Sequence, residues 1–382
     1  MDDTSSQNKP ASAAASPKTG SGKGFGVYVH WPYCLSKCPY CDFFSRVKKN
    51  VNQDELIGGY LQDLNFYRSF TEGRTVTSIF FGGGTPSLLK PQNIEKIINA
   101  VAKNWQLSPY AEISLEANPN TNNGTLFPDL RQAGINRLSL GVQALDDRSL
   151  RFLGRTHNLA QALNAVDEVL RTFDNHSIDL IYARPEQSPE EWLAELNQAA
   201  SFGFKHLSFY QLTIEEGTVF AKKGIRPADE ETAAALYNLT NDTLPAFGYS
   251  RYEISNYARE GFQSAHNKLY WQGDDYLGIG PAAHGRIKTH DKIFATTHHL
   301  QMESLTPAER AEELIIMGLR LTEGIDKAGF AENCGIPFDA FVNHTRLEKL
   351  SAQELITDTP QNISATEKGF LVLNRIIEEL CS

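Results

Sequence analysis

Residues 28–43 read Tyr28-Val-His-Trp-Pro-Tyr-Cys34-Leu-Ser-Lys-Cys38-Pro-Tyr-Cys41-Asp-Phe43. A β-rich run, residues 26–31, feeds directly into three cysteines separated by three and two residues. Thiolates are the soft ligands that iron–sulfur clusters and zinc require, and this spacing lets one loop curl round a metal and present three sulfurs from one side. Three ligands leave one iron of a four-iron cluster open, and an open coordination position belongs to a site built for chemistry. Zinc would need a fourth ligand from far away in sequence, such as Cys334, Cys381 or a histidine. Three buried cysteines without metal is the remaining alternative.

Outward from that loop the strand–loop unit repeats. Short β-rich runs at residues 78–81, 112–116, 137–141, 177–182 and 206–211 alternate with helical spacing at 55–70, 92–101, 159–170 and 190–200. Runs such as Ser78-Ile-Phe-Phe81 are too apolar for a half-exposed strand, so the pattern predicts an α/β fold with a parallel sheet covered on both faces. Polar, Gly-rich sequence follows nearly every strand, as at the catalytic rim of a (β/α) barrel. Past residue 215 the rhythm breaks. A helix is expected at 230–244, a stretch dense in Gly, His and aromatics at 264–286, and mostly helices from Pro307, with room for small strands at 356–372. We therefore divide the chain into a tail (1–23), a barrel (24–260), a linker segment (261–305) and a C-terminal helical unit (306–382). The tail carries no large apolar residue after Met1 and is expected to be disordered.

Composition narrows the function classes. The 382 residues are 41% hydrophobic and 21% charged, ample for one large α/β domain and an appendage. Net charge is -10, so a general grip on nucleic acid, which needs surplus Lys and Arg, is not expected. Five cysteines, three of them within eight residues, argue for a metal site in a reducing compartment rather than a disulfide framework. No apolar run reaches the ~20 residues of a membrane span, and the N-terminus lacks a secretory pattern. The expected location is the cytoplasm.

Three strand ends carry further signals. Gly82-Gly83-Gly84-Thr85-Pro86-Ser87 follows the second strand; glycines there let backbone approach closely and free amides to bind, although a plain tight turn reads the same. Glu116-Ala-Asn118-Pro119 follows the third strand and Gly141-Val-Gln143 the fourth. The Cys34–Cys38–Cys41 pattern resembles the signature of the radical S-adenosylmethionine superfamily, and the order of strand-end residues resembles its coproporphyrinogen-dehydrogenase-like branch. That resemblance implies a partial (β/α)6 barrel with a smaller, winged-helix-like C-terminal domain. It also implies a [4Fe-4S] cluster on the three cysteines and S-adenosylmethionine on the open iron. The pocket it implies is lined by Tyr28, Tyr40, Gly83, Gly84, Thr85, Glu116, Gln143, Arg155, Asp179 and Thr213.

Within that branch, the oxygen-independent coproporphyrinogen III dehydrogenase carries a further cysteine two residues after the third cluster ligand; here Phe43 stands instead. His266-Asn267-Lys-Leu-Tyr270-Trp271 is similar to a His-Asn-x-x-Tyr-Trp motif of heme chaperones. Together these imply a heme chaperone with His266 at the heme, an acceptor apoprotein, and a reductant such as a flavodoxin or ferredoxin. An imidazole can ligate heme iron while aromatics cover the porphyrin. His284, in Gly280-Pro-Ala-Ala-His284-Gly285, ranks below His266. A dehydrogenase and an RNA-modifying radical enzyme are the rivals. One departure from relatives stands out: Tyr182-Ala-Arg184-Pro185 replaces their usual Tyr-Gly-Leu-Pro, which is expected to alter a rim loop and spare Asp179.

Overall fold

A computed structural model describes residues 24–121, 124–289, 292–297 and 300–381; the expected N-terminal tail lies outside them. The chain enters β1 (Phe25–Trp31) and then the cysteine loop, whose ends pair as β2 (Tyr33–Cys34) and β3 (Arg46–Val47). The sheet continues through β4 (Thr75–Gly83), β5 (Gln106–Ala117), β6 (Arg137–Gln143), β7 (Asn175–Tyr182) and β8 (His206–Gln211). These are the six expected strands, each parallel to its neighbour in the order β1-β4-β5-β6-β7-β8. Beyond β8 the antiparallel strands β9 (Ser250–Arg251) and β10 (Asn256–Ala258) close one edge.

Residues 261–305, expected as a linker, are part of the same sheet. After a helix at Ala265–Gln272, strand β11 (Asp275–Ile279) pairs parallel with β1, and β12 (Gly285–Thr289), β13 (Lys292–Thr297) and β14 (Gln301–Leu305) extend it antiparallel. The result is one twelve-stranded sheet among the described residues. Periodicity could not reveal this, because β11 joins the far side of β1 across more than 240 residues, and pairing partners are a tertiary choice.

Each barrel strand serves two faces. Val27, Val29, Ile79, Phe81, Leu115, Leu138, Leu140, Ile178, Leu180 and Leu207 are fully enclosed in the apolar core. The alternate residues are polar and meet each other. Arg137 Nη2 donates to Ser177 Oγ (3.2 Å), Ser177 Oγ to Ser139 Oγ (2.7 Å), and Ser139 Oγ to the Asp179 carboxylate (2.9 Å). Period-2 alternation with polar partners supplied on the inner face explains why the strands read as apolar runs with polar interruptions. The covering helices start where capping chemistry says they should. Asn158 with Gln161, Ser188 with Glu191 and Thr306 with Glu309 each form a reciprocal capping box, satisfying amides at the first turn.

The C-terminal unit begins with the helix Pro307–Gly318. It holds an antiparallel sheet of β15 (Ile325–Asp326), β17 (Asn362–Ala365) and β16 (Ile356–Asp358) among short helices. It docks on the barrel through polar ties: Arg310 Nη2 donates to Gly273 O (2.6 Å) and Arg286 pairs with Glu313 (2.6 Å). No helix among the described residues is long and apolar enough to cross a membrane.

Candidate functional site

Cys34, Cys38 and Cys41 are free thiols on the loop that leaves the C-terminal end of β1. The loop is tied down at both ends. Arg46 N donates to Pro32 O (2.8 Å) and Lys48 N to Cys34 O (3.2 Å). His30 Nε2 meets Phe44 O (2.9 Å) while its Nδ1 meets Tyr28 Oη (3.0 Å). His30, which was not singled out from the sequence, thereby anchors the far limb of the loop to β1. Burial holds its pKa below the ordinary value, so the neutral ring is favoured.

The glycine strip lies against this loop. Gly84 N donates to Trp31 O (2.6 Å) and Thr85 N to Tyr33 O (2.9 Å). A methyl on Gly84 would stand 2.6 Å from Tyr33 O, and Gly83 adopts φ +106° beside His30. The close approach that needs glycine is therefore between two segments of the protein itself. Gly83 N–H also hydrogen-bonds Glu116, so the strip links the loop to the next strand end.

Arg155 gathers the remaining members. Its Nη1 lies 3.5 Å from Cys38 Sγ, and its Nη2 donates to Asn118 Oδ1 (2.6 Å) and Gly141 O (2.7 Å). Asn118 Nδ2 donates in turn to Thr85 Oγ1 (3.2 Å). Tyr40 also hydrogen-bonds Cys38 and stands against Arg155. Arg155 Nε is buried with no protein partner. Asn118 is a further link, outside the pocket residues expected from the sequence, and an Asn-Pro at a strand end is its signal there. At the end of β6 the pairing slips between Gly141 and Gln143, and Gln143 takes φ +76°, a bulge that re-aims its side chain next to the site. Thr213 is exposed just past β8 and takes no part in this network.

Glu116 and Asp179 face each other electrostatically across the inner wall. Burial is the main cause, and Asp179 the second, of a Glu116 pKa pushed up to about 8. Burial likewise raises Asp179, against hydrogen bonds from Ser208 and Ser139 that lower it. Unfolded, Glu116 ionises near 4.5; folded, it keeps its proton up to about 8. Between those values the folded state holds more protons, so this residue's contribution to stability falls as pH rises through the window. Glu116→Gln is expected to remove that part of the pH slope. Urea unfolding at three pH values inside the window measures it, and an unchanged slope would reject the assignment.

These residues fit a cluster with a bound sulfonium cofactor. Three free thiols come from one rim loop, a guanidinium neighbours one of them with an unpartnered nitrogen, and carboxylates line the adjoining wall. No three His, Cys, Asp or Glu side chains among the described residues converge as the ligands of a single ion do. A cuboidal cluster takes each thiolate on a different iron and needs no such convergence.

The radical SAM superfamily model matches residues 28–199 and the HemN C-terminal domain model matches residues 305–372. Heme chaperone HemW of Escherichia coli is 35% identical, aligned over 92% of this chain and 97% of that one. The mitochondrial radical S-adenosyl methionine domain-containing protein 1 of Mus musculus is 34% identical over 95% and 88%. This chain belongs to the HemW family of radical SAM proteins. In structure it is similar to coproporphyrinogen III oxidase (HemN) from Escherichia coli, with TM-score 0.78 at 22% identity over 94% of this chain and 90% of that one. That likeness establishes the shared fold: a radical SAM barrel with a C-terminal helical domain.

The HemW-type motif occupies the opposite end of the barrel from the cysteines. Its helix, Ala265–Gln272, lies over the start of β1, where Leu269 and His266 fill the space left by Gly26. His266 is wholly enclosed, with Nδ1 bonded to Ser78 Oγ and Nε2 to Tyr270 Oη, both at 2.7 Å. Its ring stacks on Phe80 (5.2 Å), and burial pushes its pKa down to about 3. Asn267 N donates to the capping Ser264 Oγ (3.3 Å), and the Arg320 guanidinium lies over Trp271 (5.9 Å). The expectation that His266 contacts heme is thus met by a ring with neither nitrogen free and no open face. At this end of a barrel such residues serve stability. His266→Ala is expected to destabilise the fold by about 2–4 kcal/mol, combining a cavity with two stranded hydroxyls. A denaturation midpoint within experimental scatter of the parent would contradict that role.

The Tyr182-Ala-Arg184-Pro185 departure also has a physical reading. Ala183 sits at φ +56°, the left-handed region that costs a non-glycine residue about 1–2 kcal/mol. The glycine that the family resemblance leads one to expect here would suit it. Ala183→Gly is expected to stabilise by about 0.5–1 kcal/mol after glycine's greater unfolded entropy is subtracted, read as a raised denaturation midpoint. Asp179 keeps its place in β7.

Proposed function

We propose that this HemW-family chain is a heme chaperone that binds heme and passes it to an acceptor apoprotein. In this reading it carries a [4Fe-4S] cluster on Cys34, Cys38 and Cys41, with S-adenosylmethionine on the open iron. The observation that carries the reading is full-length kinship to HemW combined with Phe43 where the related dehydrogenase has a cysteine. Bound together, the cluster and cofactor would supply one-electron reduction of a sulfonium.

The chain's own residues have definable tasks. Arg155 offers its guanidinium to Cys38 and orders Asn118 and Gly141 around itself. Glu116, protonated when unpartnered, is poised to ionise beside an ammonium group, because a nearby cation favours the charged carboxylate. Gln143 and Asp179 provide an amide and a carboxylate for polar cofactor groups, and Tyr28, Tyr40, Gly83, Gly84 and Thr85 shape the wall. Thr213 is assigned to the pocket on family resemblance. Three reduced thiols suit a reducing compartment such as the cytoplasm, and a flavodoxin or ferredoxin is the class of reductant expected.

Anaerobic titration of reconstituted protein with heme tests the reading: a stoichiometric Soret shift is expected. In parallel, incubation with coproporphyrinogen III, reductant and S-adenosylmethionine is expected to give no protoporphyrinogen IX. Product formation would establish the dehydrogenase instead.

A further inference from the structure

We propose that the outer limb of the cysteine loop, residues 43–49, is the docking face for a small acidic electron-carrier protein. The proposal rests on the cluster part of the function proposed above and is independent of its heme part.

The limb is one surface. Tyr33 pairs with Arg46 and Cys34 with Val47, so residues 35–45 close into a loop whose return strand is exposed. Phe43 is 60% exposed, Phe44 45% and Val47 56%. Single exposed apolar residues are ordinary, but these three crowd a short stretch of chain, a concentration of the kind that marks an interaction site. Cations are built into the same stretch. Lys37 Nζ donates to Phe43 O (3.0 Å), the Arg46 guanidinium lies 5.6 Å from the Phe44 ring centre, and the Lys48 ammonium lies 5.6 Å from that of Tyr33. His30 Nε2, bonded to Phe44 O (2.9 Å), fixes the limb to β1.

Its charge runs against that of the molecule. Residues 35–49 carry Lys37, Arg46, Lys48 and Lys49 against the single acid Asp42, in a chain whose net charge is -10. On the helix that follows, Gln53–Arg68, the first acids are engaged: Glu55 with Asn52 Nδ2 (3.1 Å) and Asp54 with Lys96 Nζ (3.8 Å). An acidic partner is repelled by the chain as a whole and attracted here, so its encounter is oriented as well as accelerated.

Position selects the kind of acidic partner. Phe43 stands two residues after Cys41, and Val47 lies across from Cys34. Electron transfer weakens steeply with distance, and a protein seated on this limb rests on the loop that carries all three thiols. One electron would leave the carrier and one would enter the cluster, with no bond made and no proton moved. A face of this extent matches the small interfaces of redox encounters, below about 1,200 Å² in total. An anionic bilayer would also attract a basic segment, but it brings no electron to the thiols beside it.

The test is anaerobic calorimetric titration of the reconstituted full chain with a flavodoxin and with a ferredoxin. At least one is expected to bind the parent at about 50 mM salt and to bind several-fold more weakly at about 200 mM. Arg46→Glu with Lys48→Glu is expected to weaken that binding at least about tenfold. Lys103→Glu with Arg171→Glu makes the same change of charge at the last turns of the helices Pro91–Asn104 and Leu159–Thr172, at the opposite end of the barrel, and is expected to leave binding within about twofold of the parent. All four side chains are exposed, so iron content and melting curves should match the parent, and the salt dependence of the parent needs no variant. If neither carrier binds, if binding ignores salt, or if both pairs of substitutions weaken it alike, the limb is not the docking face. Phosphatidylglycerol vesicles that bind the parent where the carriers do not would give the limb to a membrane and overturn the proposal. A parent that takes up no iron removes the cluster reading and this face together. A parent that binds a carrier here but no heme keeps this face and loses the chaperone reading.

Discussion

Cys38→Ala is expected to abolish cluster assembly while leaving the barrel folded. The chain supplies three thiols at the rim and no spare. Cys334 is buried in the C-terminal unit, where its thiol donates to Phe330 O (3.2 Å), and Cys381 lies in the final helix. Cys38 is only partly buried, on a loop outside the main apolar core, so its truncation removes little packing. Anaerobic reconstitution followed by iron and sulfide assay should give the parent about four irons per chain and the variant close to none. The melting temperature should move by no more than a few degrees. The same is expected of Cys34→Ala and Cys41→Ala, with a somewhat larger stability cost at Cys34, which is only 8% exposed. Parent-like iron content in any one variant would strike that cysteine from the ligand set.

Glu195→Ala is expected to be the most destabilising single change outside the apolar core. Arg184 and Glu195 pair at 2.7 Å with side chains each only 7% exposed. Glu195 also accepts from Leu145 N (2.7 Å), and Arg184 Nη1 donates to Ile181 O (2.8 Å). Removing the carboxylate strands a buried guanidinium, a loss of about 3–5 kcal/mol. Arg184→Leu combined with Glu195→Leu removes both charges and leaves chiefly the Leu145 amide without its acceptor, about 1–3 kcal/mol. Urea unfolding of the parent, single and double variants measures the difference. A Glu195→Ala variant within about 1 kcal/mol of the parent would show that water already reaches the pair. A leucine at position 184 would not need the carboxylate, so these two positions are expected to behave as a unit, with strongly non-additive effects.

Much of the architecture was legible along the chain. The six barrel strands and the helices between them follow from local alternation, capping residues and glycine punctuation, all of which act within a few residues. Most strands run longer than expected, β4 and β5 most of all, because neighbours in the sheet extend pairing past the apolar kernel. The helices Leu126–Gln132 and Asp147–Phe152 escaped notice because they are short and weakly patterned. Residues 261–305 were misjudged for a different reason. β11 carries Asp275, Tyr276 and Gly278 among its five residues, too little to announce a buried strand, and gains its place from β1.

At the site the same division holds. Cys34, Cys38 and Cys41 stand out in the sequence because their spacing puts all three on one loop after β1. Glu116, Gln143 and Asp179 are polar residues at or near strand ends, visible as such in sequence, yet only the fold showed Arg155, beyond the helix Asp147–Phe152, joining Cys38 to Asn118 and His30 clamping Phe44. His266 is the sharpest case. Its motif is conspicuous in sequence, but whether an imidazole faces solvent or a wall depends on what packs over it, and here Ser78 and Phe80 of β4 and Tyr270 of its own helix enclose it.

Sequence alone determined the three-cysteine loop and the strand–helix order, since both depend on residue type and short spacing. The tertiary structure decided which polar groups meet, which histidines are buried, and where the last strands pair. Those outcomes depend on contacts between segments far apart in the chain, and burial is a property of the assembled fold rather than of any one stretch of chain.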